Sequence, residues 1–222
     1  KYDKKFSYDK FLHVKSFEKQ ILFFKKKYNY IDCNELFNKK KFKKNDLFLT
    51  FDDGLKNHYD FVYPILKKNK INGIFYIATL PYVSKKILPV HKNHIIISKI
   101  RSNLILEYIN KNLSKEFLDD ENLNKFEQVI YKKQKNFDQN VRIKKILNYS
   151  IKREYRTIFI NKMFKEFFPT ISEKRFVKDY YMNEKELKEL VKAGMILGSH
   201  TVNHPVLANL SFCDAKKEID ES

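Results

Sequence analysis

Tryptophan is absent from this chain of 222 residues, and glycine, proline and cysteine occur only four, five and two times. The two cysteines, Cys33 and Cys213, form no Cys-x-x-Cys pair and provide no disulfide framework. No apolar stretch approaches the roughly 18 to 20 residues that would span a bilayer. Because 43% of the residues are hydrophobic, the chain can form a sizeable packed core. We therefore expect a globular domain without a transmembrane segment.

No signal peptide is visible at the start of the chain, which begins at Lys1 rather than at methionine. The sequence leaves open a targeting or anchoring segment that has been removed. We expect a location in the cytoplasm or in association with the cell envelope, and the sequence does not choose between them.

Acidic residues are the scarcer charged class, with 27 Asp and Glu against 45 Lys and Arg and a formal net charge of +18. Such an excess is typical of proteins that bind nucleic acid or anionic surfaces. Here the positive charge is mostly lysine, spread along the chain and mixed with acids. We attribute it to a composition bias and do not expect a nucleic-acid partner. Peripheral contact with a membrane or another anionic surface stays open.

The first part of the chain shows the order of an α/β domain. The apolar run Leu47-Phe48-Leu49 predicts a buried strand over 46–51, 59–70 shows helical spacing, and 73–78 predicts a second strand. Strand, helix and strand within about 30 residues indicate a βαβ unit and hence a parallel sheet. An amphipathic helix is predicted before this unit, over 16–28, with Ser16 as its N-cap.

Residues 81–181 interrupt this pattern. They are too apolar for a disordered tether, so we interpret them as a helical insertion. The predicted helical stretches lie at about 92–112, 114–135, 139–149 and 153–167.

The α/β pattern then resumes. Asn183 is the predicted N-cap of a helix that is followed by Gly194 as its C′ residue. A third short strand is predicted at 195–198, and Ser211 is predicted to cap a last helix.

Two motifs stand at predicted strand ends. In Thr50-Phe51-Asp52-Asp53-Gly54, the adjacent carboxylates point to opposite faces, so one could bind a metal while the other handles a proton. In the second motif, His200 and His204 are four residues apart and both can reach one ion. With Asp53 they form a set of three ligands that leaves positions open for water and substrate, which is the catalytic rather than the structural pattern.

Thr-Phe-Asp-Asp-Gly at 50–54 and Ser-His-Thr-x-x-His-Pro at 199–205 resemble the first two motifs of the NodB-homology polysaccharide deacetylases, carbohydrate esterase family 4. Both motifs are complete and in the family's order. The resemblance implies an α/β fold, a distorted (β/α) barrel with fewer than eight strands. Residues 1–80 and 182–222 would form the barrel, and 81–181 the helical insertion.

The resemblance also implies the chemistry. Asp52 would be the general base, and Asp53, His200 and His204 would hold one divalent metal ion, with zinc as the first expectation. The metal would polarise the amide carbonyl of an N-acetylated sugar, while Asp52 takes the proton from the attacking water. The implied function is removal of acetyl groups from a polysaccharide or glycan precursor, with an N-acetylated glycan as substrate.

The sequence departs from the family in two ways. Asp53 and His200 are 200 − 53 = 147 positions apart, which the insertion explains. The later family motifs, among them an Asp-Trp and a Leu-x-His segment, have no counterpart before Ser222. We therefore expect a C-terminally truncated member with an incomplete barrel. The alternative is a catalytically inactive glycan-binding protein on the same fold.

Three other histidines are weaker candidates. His58 lies close to the first motif, and His91 and His94 have a spacing that could bind a metal. We interpret His58 first as structural, because a histidine at the start of a helix usually is. We interpret His91 and His94 in the same way, because no acidic or cysteine partner is nearby in sequence.

Overall fold

The computed structural model of the protein describes residues 12–38, 41–118 and 139–222. These residues divide into two compact units. The first comprises the described residues up to Ile87 together with Ser172–Ser222, and the second comprises those from Leu88 to Ile171. None of the described helices is both long and apolar enough to cross a membrane.

The strands found in the described part of the chain are short and all belong to the first unit. In chain order they are β1 (Asn29–Tyr30), β2 (Asp46–Leu47), β3 (Thr50–Phe51), β4 (Ile74–Ile77) and β5 (Ile196–Ser199).

Within the described residues, α-helices make up most of the regular structure. In chain order they are α1 (Val14–Lys27), α2 (Cys33–Asn38), α3 (Tyr63–Lys68), α4 (Leu80–Val83), α5 (Pro89–Lys99), α6 (Ser102–Asn112), α7 (Gln139–Lys145), α8 (Arg153–Phe167), α9 (Glu173–Tyr180), α10 (Glu184–Lys192) and α11 (Phe212–Asp220).

The strands form two parallel sheets. β1 pairs with β2, and β3, β4 and β5 form a second sheet in that order. The register places Phe51 opposite Phe75, and Phe75 opposite Leu197. The predicted βαβ unit is present, since β3 and β4 are parallel and α3 lies between them in the chain. The described strands are not closed into a barrel, so the structure shows an α/β fold with parallel sheets.

The core of the first unit lies against the central strand of the larger sheet. Phe75 on β4 is fully buried, and its ring stacks on that of Phe51 at 4.9 Å between centroids. Leu66 from α3 and Leu190 from α10 are also fully buried in the same cluster. Burying a side chain of this size contributes roughly 1.5–3 kcal/mol to stability. This apolar packing stabilises the sheet whose strands β3 and β5 end at the two motifs.

Helix ends follow the predicted capping residues in two of three cases. The Asn183 side chain accepts from the N–H groups of Lys185 and Glu186, and Gly194 follows α10 with φ 86°. Ser211 caps α11 by accepting from the N–H of Asp214. The prediction for α1 was wrong, because the helix begins two residues earlier and His13 rather than Ser16 is its N-cap.

Two predicted elements are divided in the structure. The strand expected at 46–51 is split into β2 and β3, which belong to different sheets. The helix expected over 59–70 begins instead with a π-helical turn, His58–Val62, which continues into α3 with Pro64 in its first turn. Proline fits there because the first turn of a helix needs no N–H donor.

The second unit is helical, as the sequence predicts for this part of the chain. Its core includes Ile96, Ile105, Ile143, Leu147 and Met163, all fully buried. The stretch expected at 92–112 consists of two helices, α5 and α6, because Ile100 and Arg101 have extended backbone. The stretch at 153–167 coincides with α8. Most of the stretch at 114–135 lies outside the described residues, and the domain boundaries 81 and 181 stay a prediction.

Gly198 on β5 provides a test of this packing. A Cβ atom at this position would lie 2.6 Å from two ring carbons of Tyr76 on the neighbouring strand. We expect Gly198→Ala to lower the free energy of unfolding by about 1–3 kcal/mol, as overpacked cores do. Urea unfolding measures this change. In a Tyr76→Ala background the same substitution should cost much less, and an undiminished cost would contradict the proposed clash.

Candidate metal centre

The first motif leaves the sheet in an unusual backbone conformation. After β3 ends at Phe51, Asp53 and Gly54 both have left-handed backbone, with φ 75° and 64°. A non-glycine residue in this region costs on the order of 1 kcal/mol and needs support from its surroundings. One such support is the carbonyl of Gly54, which accepts from the N–H of Met182 at 2.9 Å. The turn directs Asp53 away from the strand axis and towards the end of β5.

The second motif is tied to the loop that follows β4. The N–H of His200 donates to the carbonyl of Ile77 at 3.0 Å, which extends the pairing of β4 and β5 by one bond. The N–H groups of Thr79 and Leu80 then donate to the carbonyls of Thr201 and Val202, at 3.2 and 3.0 Å. The histidine loop is therefore fixed to the central strand rather than projecting freely.

Left-handed residues also shape the histidine loop. Thr201 and His204 have φ 64° and 57°. The Thr201 hydroxyl accepts from the N–H of His204 at 3.0 Å, a bond within the loop. The loop turns back on itself, and the two imidazole rings meet edge to face at 4.6 Å between centroids.

The three predicted ligands come together at the carboxyl ends of β3 and β5. Asp53 Oδ1 lies 3.4 Å from His200 Nε2 and 3.2 Å from His204 Nε2. All three donor atoms lie within 4.8 Å of one another, and no other group of three or more such side chains is this close among the described residues. Two imidazole nitrogens and one carboxylate oxygen are ligands that suit zinc and similar divalent ions. The residues therefore fit a metal ion with open coordination positions, although its identity stays a prediction.

The electrostatics of the site favour a positive charge between these groups. The Asp53 carboxylate, hydrogen-bonded to His204, raises the pKa of that imidazole above its ordinary value of 6.5, against the opposing effect of burial. The negative charges of Asp53 and Asp52 act in the same direction. A site that stabilises a proton on His204 in this way is also arranged to stabilise a cation bound to the same atoms.

Asp52 differs from Asp53 in its surroundings. Its side chain is exposed, whereas that of Asp53 is only 22% exposed and directed to both histidines. Its charge acts on His204, so it lies within electrostatic reach of the ligand set. This separation agrees with the expected division of labour, and the role of Asp52 as a base stays a prediction.

Glu218 on α11 is a residue that the sequence reasoning missed. Its carboxylate accepts from the N–H groups of Val202 and Asn203, at 3.0 and 2.9 Å, and from the Asn203 side-chain amide at 2.7 Å. These are charge-assisted bonds to the loop that joins the two histidines. In the sequence, Glu218 cannot be told from its neighbour Glu221, because both follow the cap Ser211 on a polar helix. They are distinguished only in the structure, where α11 packs beside the histidine loop and Glu218 is the residue that contacts it.

The other histidines lie elsewhere. His58 packs against the rings of Phe51 and Phe75, at 5.7 and 6.1 Å between centroids, within the aromatic part of the core. His91 is buried in the second unit, with its ring 6.3 Å from that of His94. None of the three belongs to the close group of metal-binding side chains found among the described residues.

A carboxylate and two imidazoles that follow parallel strands define an α/β domain with a candidate metal site at the carboxyl ends of its sheet. The family model for polysaccharide deacetylases matches residues 39–141 and 154–222. The chain therefore belongs to the polysaccharide deacetylase family, as its two motifs predicted.

Comparison with known proteins adds one solved structure. The chain is similar to the Streptococcus pyogenes deacetylase PplD in complex with acetate, with 15% sequence identity and a TM-score of 0.45. The match covers 94% of this chain and 54% of the PplD chain, so the present chain spans about half the length of that protein. No curated protein matches the sequence.

We predict that Glu218 sets the affinity of the metal site. Glu218→Ala removes three hydrogen bonds from the histidine loop, so zinc should bind about tenfold more weakly in a competition titration. Glu218→Gln keeps one acceptor oxygen and should lose less. Glu221→Ala is the matched control, because this exposed carboxylate at the C-cap of α11 lies near Lys217 instead. Equal affinities for Glu218→Ala and Glu221→Ala would contradict the prediction.

Zinc binding should also depend on pH. A metal needs the neutral imidazole, so protons compete for His204, and the raised pKa moves this competition above pH 6.5. We expect affinity to increase as pH rises through that pKa. The folding stability of the metal-free protein should change in the opposite direction with pH. The stabilisation that charged His204 contributes is complete below pH 6.5 and is lost as pH rises through the raised pKa. NMR titration of the histidine rings checks the shift, which Asp53→Asn should reduce. An unchanged His204 pKa in that variant would refute its assigned cause.

Proposed function

We propose that this protein is a metal-dependent deacetylase that removes acetyl groups from N-acetylated sugars of a polysaccharide or glycan precursor. The observation that supports it most is the convergence of Asp53, His200 and His204 on one point, with Asp52 next to it, in a chain of this family. Zinc is the ion we expect, because the donor set contains two imidazoles.

The residues have separate tasks in this proposal. Asp53, His200 and His204 would hold a metal ion, which would supply Lewis-acid polarisation of the substrate's amide carbonyl. Asp52 takes a proton from the water that attacks this carbonyl carbon, and the same proton is then available for the departing amine. Asp53 is unsuited to this task, because its carboxylate is engaged with both imidazoles. Asp52 is exposed and can exchange protons with substrate and solvent.

The architecture in which we place this site is a distorted (β/α) barrel. The parallel order β3-β4-β5 is consistent with one part of its wall. Residues 1–80 and 182–222 would supply this wall, and the insertion 81–181 would be a separate helical element.

Acetate release from N-acetylated sugar oligomers tests the catalytic role of Asp52. We expect Asp52→Asn to lower the rate by about 10²- to 10⁴-fold, the usual effect of losing a general base, while zinc content stays near that of the parent. Asp220→Asn, an exposed carboxylate on α11, is the control and should retain the parent's rate.

Metal analysis tests the ligand set independently. The parent should contain about one divalent ion per chain, and His200→Ala or His204→Ala should lose it. A parent that stays metal-free at saturating zinc would refute the proposal. Metal binding without acetate release by the parent would instead favour the alternative, a catalytically inactive glycan-binding protein on this fold.

A further inference from the structure

Two short lysine-rich segments lead into the smaller sheet. Residues 25–29 lead into β1, whose first residue is Asn29, and residues 41–45 precede β2; every residue of both segments is exposed. Neither segment contains an acidic residue. The segments resemble each other, with an aromatic residue and an asparagine in each, and together they contain six lysines: Lys25, Lys26, Lys27, Lys41, Lys43 and Lys44.

The parallel pairing of β1 and β2 places these segments side by side. Asn29 is opposite Asp46 in the register, and the N–H of Asn29 donates to the carbonyl of Asn45 at 2.8 Å. The Asp46 carboxylate accepts from the Asn29 amide and the Lys43 N–H, so it closes the turn that presents the second segment. Both segments therefore lie at the same end of the sheet, where the two strands begin, and we treat their charges as one basic surface.

The lysines of this surface are available to a partner. Lys25 Nζ donates to the carbonyl of Asn69 at 2.9 Å. Within the described part of the chain, none of the six lysine side chains forms an ion pair with a carboxylate. Most of the positive charge is thus neither neutralised nor committed to the fold.

Apolar side chains stand among these charges. Phe42 is 56% exposed between lysines, and Tyr28 is 41% exposed after them. Tyr28 adjoins the aromatic residues of α1. The Phe24 ring contacts the rings of Tyr28 and Phe23, at 5.8 and 5.9 Å between centroids. Phe23 and Leu22 are 55% and 53% exposed. Exposed aromatic and aliphatic side chains flanked by lysines match the boundary between lipid headgroups and hydrocarbon.

We propose that this basic–aromatic surface, residues 22–29 with 41–45, docks the protein on an anionic lipid bilayer. The lysines contact the headgroups, and Phe42, Tyr28, Phe23 and Leu22 enter the headgroup layer. Charge complementarity selects an anionic partner, and the exposed aliphatic and phenyl groups select a bilayer over a hydrated polyanion. The residues of this surface all precede β3 in the chain, whereas Asp53, His200 and His204 follow it, so the docking residues are separate from the candidate metal ligands.

Co-sedimentation with vesicles tests this proposal without any reference to catalysis. The protein should bind vesicles of phosphatidylcholine mixed with phosphatidylserine and should not bind phosphatidylcholine alone. Replacing Lys26, Lys27, Lys43 and Lys44 by Gln should weaken binding about tenfold or more. Phe42→Ser, which leaves the charge unchanged, should weaken it several-fold.

A charge-matched control separates this surface from the overall charge of the chain. Replacing Lys174, Lys178, Lys185 and Lys188 by Gln removes the same number of charges from exposed positions on α9 and α10. This variant should bind nearly as the parent does, and thermal unfolding followed by circular dichroism should show that both quadruple variants are folded.

Three outcomes would overturn the proposal. The parent fails to bind the anionic vesicles, or both quadruple variants lose binding equally, which assigns the effect to net charge. In the third, Phe42→Ser binds vesicles as the parent does while single-stranded nucleic acid competes through the same lysines, which assigns the surface to a polyanion.

Discussion

The parallel pairing of β3, β4 and β5 is the constraint on which the functional part of this molecule depends. Asp53 and His200 are 147 positions apart in the chain, and they meet only because β4 pairs with one strand on each side. The apolar packing of Phe75 beneath β4 holds this pairing, and the bond from His200 to Ile77 extends it to the metal centre. The arrangement of Asp53, His200 and His204 therefore depends on the stability of the central strand.

Strained backbone is the second requirement of the site. Asp53, Thr201 and His204 all have left-handed backbone without being glycine, and each lies just past a strand end. Such residues persist where surrounding bonds hold them, here from Met182, from the Thr201 hydroxyl and from the Glu218 carboxylate. The ligand geometry is therefore imposed by the fold and does not wait for a ligand to create it.

The sequence predicted those features that depend on residues close together in the chain. The βαβ unit, the caps Asn183 and Ser211, and the two motifs at strand ends are of this kind, and the structure brings the predicted ligands together. The split of 46–51 between two sheets and the bonds of Glu218 depend on partners distant in the chain. Local periodicity contains no information about them. The distorted (β/α) barrel, expected from the family resemblance to be incomplete in this chain, is likewise a question of long-range pairing, and the described strands show only two separate parallel sheets.

The separation of the ligands also has a consequence for biosynthesis. At about 5–20 residues per second, a ribosome needs roughly 7–30 s to pass from Asp53 to His200. During this interval the nascent chain has the acidic motif but no histidine partner, and one edge of β4 stays unpaired until β5 emerges. An open apolar edge of this kind invites pairing with other chains. During this interval, pairing of the open edge with another chain competes with native pairing, and the two histidines join Asp53 only after nearly the whole described chain has been made.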